Sequence, residues 1–502
     1  MKRIPIWSFW AIILLSGCNS SKKMASLIPD KPSEAPDYFC TWTVQGYLVN
    51  FASAEATRNE MKEENIFGNA ARQNWSGMLQ KVRSDLYFLL DDSWDVPFNN
   101  DKKYFGSLIV DSSRFPSVSN QAPAQRLKTI SDRIKRTGWK GLGLWICAQQ
   151  APEFEKTDST TYWRQRMQWM DSADVRYWKV DWGEKDKNAS WRTFLTRVGQ
   201  EKAPRLNIEQ SMTPSVMSAG GLYRTYDVES IISVPLTISR IGKLLNTLPA
   251  GKATAMINCE DEAYIAVGTG CSIGVMRHEF NGSMPNGNQD FVFPPVGRDY
   301  KNRLDEVVRA VRWHRIAGPF AINKSNVFVD RTELHDYWVL ASNETWMSRK
   351  AGDTDAMSAP QVITRGIEKP QVSQKNGDTL RPYVLASKYP NGAIAVVTVG
   401  RTVNRSYLTP SADVTIKAGD LTKPIGIFGR YNSLTLELRS EPGYKSVFAQ
   451  DLAGEKPVDI TTRVIIQGNK VIIPGSLIDE IGLSAASKGG KSEPGMVLEF
   501  FE

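Results

Sequence analysis

The sequence predicts a (β/α)8 barrel followed by a C-terminal antiparallel β-sandwich, an α/β chain of two domains. Three observations predict it. Between residues 38 and 320, eight short apolar runs alternate with amphipathic stretches of helical period, which is the count of a closed parallel barrel. After Phe320 the helical period fades and strand-type alternation takes over, as in Ala393-Ile394-Ala395-Val396-Val397-Thr398-Val399 and Ser433-Leu434-Thr435-Leu436-Glu437-Leu438. The chain, 502 residues with 41% hydrophobic and 10% aromatic content, has the length and apolar stock for one large and one smaller core.

The elements follow in order. Lys2 and Arg3 precede an apolar run over 4–15 that is too short to span a bilayer. Leu15-Ser16-Gly17-Cys18 then resembles a bacterial lipobox, which implies cleavage before Cys18 and lipidation of its thiol. Residues 1–17 are thus expected to be a lipoprotein signal peptide and 18–37 a tether. A barrel over 38–322 and a sandwich over 323–502 complete the chain. The expected location is the bacterial cell envelope, at the periplasmic face or outer surface, with the membrane a partner through the lipid anchor.

Within the barrel, strands are expected over 39–48, 86–94, 141–148, 176–183, 205–212, 222–228, 253–259 and 272–278. Helices are expected over 125–137, 162–173, 191–202, 236–247, 261–267 and 304–317. The polar stretch 348–375, with its glycines and prolines, reads as a long loop or an irregular insertion.

Charge and cysteines exclude several classes. The net charge of +8 comes from 62 basic and 54 acidic residues spread along the chain, without a basic run to follow a phosphate backbone. No nucleic-acid partner is expected. Cys40, Cys147, Cys259 and Cys271 lack metal-ligand spacing, so no zinc site is expected. No cofactor is expected, with a calcium-dependent carboxylate site as the alternative. Export would permit a disulfide among the cysteines, which the sequence does not assign.

The chemistry sits at the predicted strand ends, because a barrel of this kind carries its site at the C-terminal face. Strand two ends in Asp91, Asp92 and Trp94, strand three in Trp145, and strand four in Lys179, Asp181 and Trp182. Strand five supplies Glu209, and strand six supplies Arg224 and Asp227. Taken singly, each has a plain structural reading. Lys179 and Asp181 could pair as ions, Asp91 and Asp92 could be a solvated turn, Arg224 and Asp227 could cap the next segment, and Glu209 could be a satisfied buried acid. Taken together they share one face. Carboxylates and cations bind sugar hydroxyls there, tryptophans stack on sugar C–H faces, and two carboxylates can hydrolyse a glycosidic bond.

Leu90-Asp91-Asp92-Ser93-Trp94, Gly138-Trp139-Lys140-Gly141-Leu142-Gly143-Leu144-Trp145, Tyr177-Trp178-Lys179-Val180-Asp181 and Tyr223-Arg224-Thr225-Tyr226-Asp227 carry a family resemblance. The chain resembles, as a remote member, the retaining α-galactosidases of glycoside hydrolase families 27 and 36. The resemblance implies Asp181 as nucleophile and Asp227 as acid/base. It also implies sugar binding by Asp91 and Asp92, with Glu209 where related enzymes often carry an acid against the 2-position; the strand-end residues themselves add Trp94, Trp145 and Trp182 as stacking faces, Lys179 to keep Asp181 ionised, and Arg224 to orient the substrate or tune Asp227. The chain departs from the family at Trp182-Gly183-Glu184, where small residues and a cysteine are usual, and at Cys40-Thr41-Trp42 on strand one. The expected activity is a retaining exo-α-glycosidase acting on terminal α-galactosyl-like residues. Alternatives are a β-L-arabinopyranosidase, an α-N-acetylgalactosaminidase, or a non-catalytic glycan-binding lipoprotein.

Overall fold

A computed structural model of the chain describes residues 24–48, 53–211, 221–225, 231–247, 255–280, 303–322, 326–342, 350–374 and 379–502. Cys18 and Asp227 lie outside the described residues.

Eight parallel strands close into a barrel in sequence order: β1 (Tyr38–Cys40), β2 (Tyr87–Leu90), β3 (Gly141–Ile146), β4 (Val175–Val180), β5 (Asn207–Ser211), β6 (Gly221–Arg224), β7 (Ala255–Glu260) and β8 (Ser272–Val275). Alternation along β4 shows how the sequence sorts its side chains. Tyr177, Lys179 and Asp181 fall on the barrel-facing side, while Trp178 turns outward against Trp163, with ring centres 6.3 Å apart. β2 and β3 are short and buried along their whole length, and β4 nearly so, which is why their runs read as nearly continuous apolar segments.

The helices around the barrel are α1 (Trp42–Leu48), α2 (Ala54–Asn59), α3 (Glu63–Phe67), α4 (Pro123–Arg136), α5 (Ser159–Ser172), α6 (Ala189–Lys202), α7 (Ser233–Thr247), α8 (Ala263–Thr269) and α9 (Leu304–Ile316), and the C-terminal region adds α10 (Gly475–Gly482). Their boundaries follow local chemistry. Pro123 starts α4 where its missing N–H costs nothing, and Leu127, Ile130 and Ile134 bury one face. Asp158 caps α5 through Thr161 N–H, and Asn188 caps α6 through Trp191 N–H.

Two expectations need correction here. The run 39–48 is not one strand, since β1 ends at Cys40 and the chain turns into α1 after Thr41. Both halves are apolar because both are buried, so hydrophobicity alone does not separate them. The stretch 348–375 is not a loop throughout. It contains strands Thr354–Pro360, Val362–Arg365 and Gln371–Ser373. The first and third are largely exposed along one side, which accounts for their polar composition.

The C-terminal region packs an eight-stranded sheet on a five-stranded one. Val384, Val396 and Ile427 of the first meet Val414, Leu434 and Ile473 of the second in one apolar layer. Neighbouring strands are antiparallel except for three parallel pairs, which join Val362–Arg365 to Tyr383–Lys388, Ile394–Val399 to Ile425–Phe428, and Asp413–Gly419 to Ser433–Leu438. The outer face of the larger sheet closes over the barrel. Leu385, Val397 and Phe428 belong to the same apolar cluster as Val267 of α8 and Trp313 of α9. Arg309 of α9 grips Asp451 with two parallel bonds of 2.9 and 3.1 Å, and both partners are buried.

Candidate active site

The C-terminal ends of the strands form a cavity of about 200 Å³ walled by Asp91, Asp92, Trp145, Lys179, Asp181 and Trp182, with Glu260 and Arg58 also on its surface. Seven of the expected residues therefore occupy one region: these six, together with Arg224, which reaches them from β6.

Asp181 stands just past β4. Its Oδ1 lies 3.1 Å from Arg224 and its Oδ2 accepts the Trp145 indole N–H at 3.0 Å. The side chain retains 14% exposure, while Arg224 has none, so the carboxylate faces the cavity with its cation behind it. Burial pushes its pKa up, but Arg224, Lys179 and the Trp145 bond outweigh it and hold the carboxyl below its ordinary value. The backbone is fixed as well. Arg192 of α6 donates to the carbonyls of Val180 at 3.0 Å and Asp181 at 2.9 Å. Gly183 follows with φ +146°, and a Cβ there would sit 2.6 Å from Ala148 N, so the turn after Asp181 requires glycine.

Lys179 is the last residue but one of β4. Its Nζ lies 3.0 Å from Asp91 Oδ2 and 3.2 Å from Glu260 Oε1, all three almost fully buried. Burial opposes the ammonium charge, yet Asp91 and Glu260 win and hold its pKa well above normal. Asp91 Oδ2 also accepts from Cys40 Sγ at 2.9 Å. Asp92 is bound by Arg58 Nε at 3.0 Å and by Ser93 Oγ at 2.9 Å. Burial still pushes its pKa up to about 6, against the pull of Arg58.

Two expected sugar-binding residues stand away from the cavity. Trp94 is fully buried and donates its indole N–H to Trp145 O at 2.8 Å. It therefore props the β3 end that carries Trp145 and offers no face to a sugar. Glu209 is likewise at 0% exposure, with Tyr177 OH donating to it at 2.6 Å and Arg224 at 3.6 Å. Burial raises its pKa to about 7 in spite of Arg224 and Tyr177. It lies against Arg224, the same cation that faces Asp181. Trp182 does line the cavity, half-buried, but Arg58 and Lys102 sit 5.6 and 5.5 Å from its ring centre.

Six cavity residues escaped the sequence reading, among them Glu260, Arg58 and Trp42. Glu260 is the last residue of β7, and the expected strand stopped one residue short of it, at Cys259. The rule that charges at strand ends mark the site would have found it. Arg58 and Trp42 come from α2 and α1, inside a region read as strand or left unassigned, and no local pattern points to them. Cys40, Cys147, Cys259 and Cys271 are buried thiols.

No protein-family model and no curated protein matches the chain. Among solved structures it is similar to α-galactosidase I from Mortierella vinacea, at 10% identity over 93% of this chain and 97% of that chain, with a TM-score of 0.40. It is similar to an α-galactosidase from Saccharomyces cerevisiae at 11% identity, covering 94% and 97%, with a TM-score of 0.40. A β-L-arabinopyranosidase from Geobacillus stearothermophilus shares 10% identity over 93% and 96%, with a TM-score of 0.39. The barrel stands on its own closed ladder from β1 to β8.

Proposed function

We propose that the chain is a retaining glycoside hydrolase that removes terminal α-galactosyl-like units from oligo- or polysaccharides. The observation that carries this reading is the Asp181 carboxylate. It is ionised by Arg224 and Lys179, oriented by Trp145, and open to a cavity whose other wall is Asp91, Asp92 and Lys179. That is a nucleophile opposite groups suited to sugar hydroxyls.

In this mechanism Asp181 attacks the anomeric carbon as the glycosidic C–O bond breaks. Asp227, three residues beyond Arg224 in the sequence, gives its proton to the leaving oxygen. The glycosyl-enzyme ester then yields to water, which Asp227 deprotonates, returning both acids to their starting states. Lys179, Asp91 and Asp92 hold hydroxyls remote from the bond that breaks. A panel of nitrophenyl glycosides, with NMR of the first anomer released, tests the reading. Turnover of the α-galactoside with retained configuration is expected. Turnover of no glycoside in the panel would overturn it.

The same proposal places the enzyme at the bacterial envelope on a lipid-modified Cys18, on the strength of Leu15-Ser16-Gly17-Cys18 after its apolar run. Cys18→Ser should shift the protein from the membrane to the soluble fraction or leave its precursor uncleaved. Native protein that is soluble and begins at another residue would refute it.

A further inference from the structure

A cavity of about 440 Å³ lies wholly within the C-terminal region. Strands Asp413–Gly419, Ser433–Leu438 and Gly495–Phe501 each contribute their last residue or two to its wall, and residues 439–444 supply much of the rest. It is about twice the size of the cavity at the barrel strand ends and shares no residue with it. Its volume falls within the roughly 300–1,000 Å³ usual for a small-molecule site.

Two aromatic rings give the wall its shape. Tyr444 and Phe500 are half-buried, with ring centres 4.9 Å apart and planes inclined at 56°. Both pack on the apolar layer between the two sheets, as does Leu421, so the rings are supported from behind. Tyr444 also carries a hydroxyl that is shielded from water and makes no hydrogen bond among the described residues. Such a group costs free energy until a partner is supplied, and a ligand hydroxyl is one such partner.

Polar side chains share the wall with the rings. Asp420, Thr422, Arg439, Ser440 and Glu441 line the cavity, and none of the five side chains makes a hydrogen bond or an ion pair among the described residues. The backbone is adapted at the same place. Gly419 has φ +77°, and the pairing of its strand with Ser433–Leu438 shifts register between Lys417 and Gly419. A bulge of this kind ends a ladder and re-aims the chain, and bulges gather beside binding sites.

The combination selects the ligand. Ring faces take the C–H side of a pyranose, while a guanidinium, carboxylates and hydroxyls donate to and accept from its hydroxyls. Asp420 and Glu441 stand with Arg439, so the wall does not suit a phosphate or a sulfate. Five polar side chains do not suit a lipid chain. None of the three strands is an edge strand, so an added peptide strand would find no open ladder there.

We propose that this cavity is an accessory carbohydrate-binding site, which takes a neutral pyranose ring of a polysaccharide and holds the polymer on the enzyme apart from the catalytic cavity. No bond is made or broken there. Holding the polymer raises the effective concentration of its terminal units at the barrel, whereas a small glycoside gains nothing. The choice of a galactose-bearing polymer as the probe rests on the glycosidase reading above, and the site itself rests on its own walls.

Affinity electrophoresis through gels containing galactomannan tests the site. The wild type should be retarded. Tyr444→Ala should weaken the apparent affinity by about fivefold or more. Arg439→Ala combined with Glu441→Ala alters only exposed side chains, and should weaken it by about threefold or more. In both variants kcat/KM on nitrophenyl α-galactoside should stay within about twofold of the wild type, while kcat/KM on galactomannan falls with the affinity. A wild type that galactomannan does not retard, or retardation unchanged in both variants, overturns the proposal. An equal loss on the nitrophenyl glycoside overturns it as well, because the substitutions would then be acting through the barrel. If the wild type hydrolyses neither substrate, the glycosidase reading has failed, and retardation weakened in both variants still establishes the site.

Discussion

Lys179 Nζ lies 3.2 Å from Glu260 Oε1 in the wall of the strand-end cavity, and the ion pair is almost wholly shielded from water. With Asp91 on its other side, one ammonium serves two carboxylates. Removing it leaves two acids facing each other with no cation between them.

Lys179→Met is therefore expected to destabilise the fold by about 3–5 kcal/mol, the cost of breaking a buried pair from one side. Urea unfolding of the variant against the wild type measures it. A loss under about 1 kcal/mol would mean that the three groups do not act as a charged cluster.

Asp181→Ala should abolish hydrolysis while the protein stays folded, because its carboxylate borders the cavity and its backbone is held by Arg192. Added azide should restore part of the turnover on an activated nitrophenyl substrate by filling the vacated position. Activity near the wild-type level would remove Asp181 from the chemistry.

Asp227→Ala is expected to separate substrates by leaving group. Natural glycosides, which need a proton on the departing oxygen, should lose far more rate than nitrophenyl glycosides. Equal losses on both would assign Asp227 to binding. In a crystal structure of a retaining enzyme, the carboxyls of Asp181 and Asp227 should stand about 5–5.5 Å apart.

Asp92 should give sugar binding a pH dependence. Burial pushes its pKa up to about 6, so its acceptor charge is lost as pH falls through that value. KM should rise on the acid side of about pH 6. Asp92→Asn should weaken binding by roughly 1–3 kcal/mol at pH 8 and by much less at pH 5, where the native residue is itself neutral. A penalty that is the same at both pH values would contradict this.

Glu209 should leave its mark on stability instead. Its folded pKa is raised to about 7, so between the ordinary glutamate value and 7 the folded state binds more protons than the unfolded one. This contribution is present at low pH and is lost as pH rises through that window. The slope should flatten in Glu209→Gln, as read by chemical denaturation at pH 5 and pH 7.5. An identical slope in the variant would show that Glu209 does not titrate there.

Much of this was legible in the residues because barrel strands are buried on both faces. The sequence places all eight of them in order, and a charge at the end of such a strand has no packing reason to be there. Lys179, Asp181 and Arg224 stand out on that ground alone. Trp94 shows the limit of the rule. It follows the same strand as Asp91 and Asp92, yet its indole turns inward to Trp145 O, and composition says nothing about which way a ring turns. Arg58 was illegible for a different reason. It enters the cavity from a short helix between β1 and β2, and only the fold brings that helix over Asp92. The strands within 348–375 were hidden by their polar, exposed sides.

The bond pair between Arg309 and Asp451, set among apolar side chains from both halves of the chain, bears on how the protein comes apart. Neither half has a finished surface of its own along that seam. Cutting the chain near residue 323 would bare Trp313 and Val267 to water, and the severed barrel should aggregate. Heating should accordingly melt the whole molecule in one cooperative step, with a single calorimetric peak rather than one for each half.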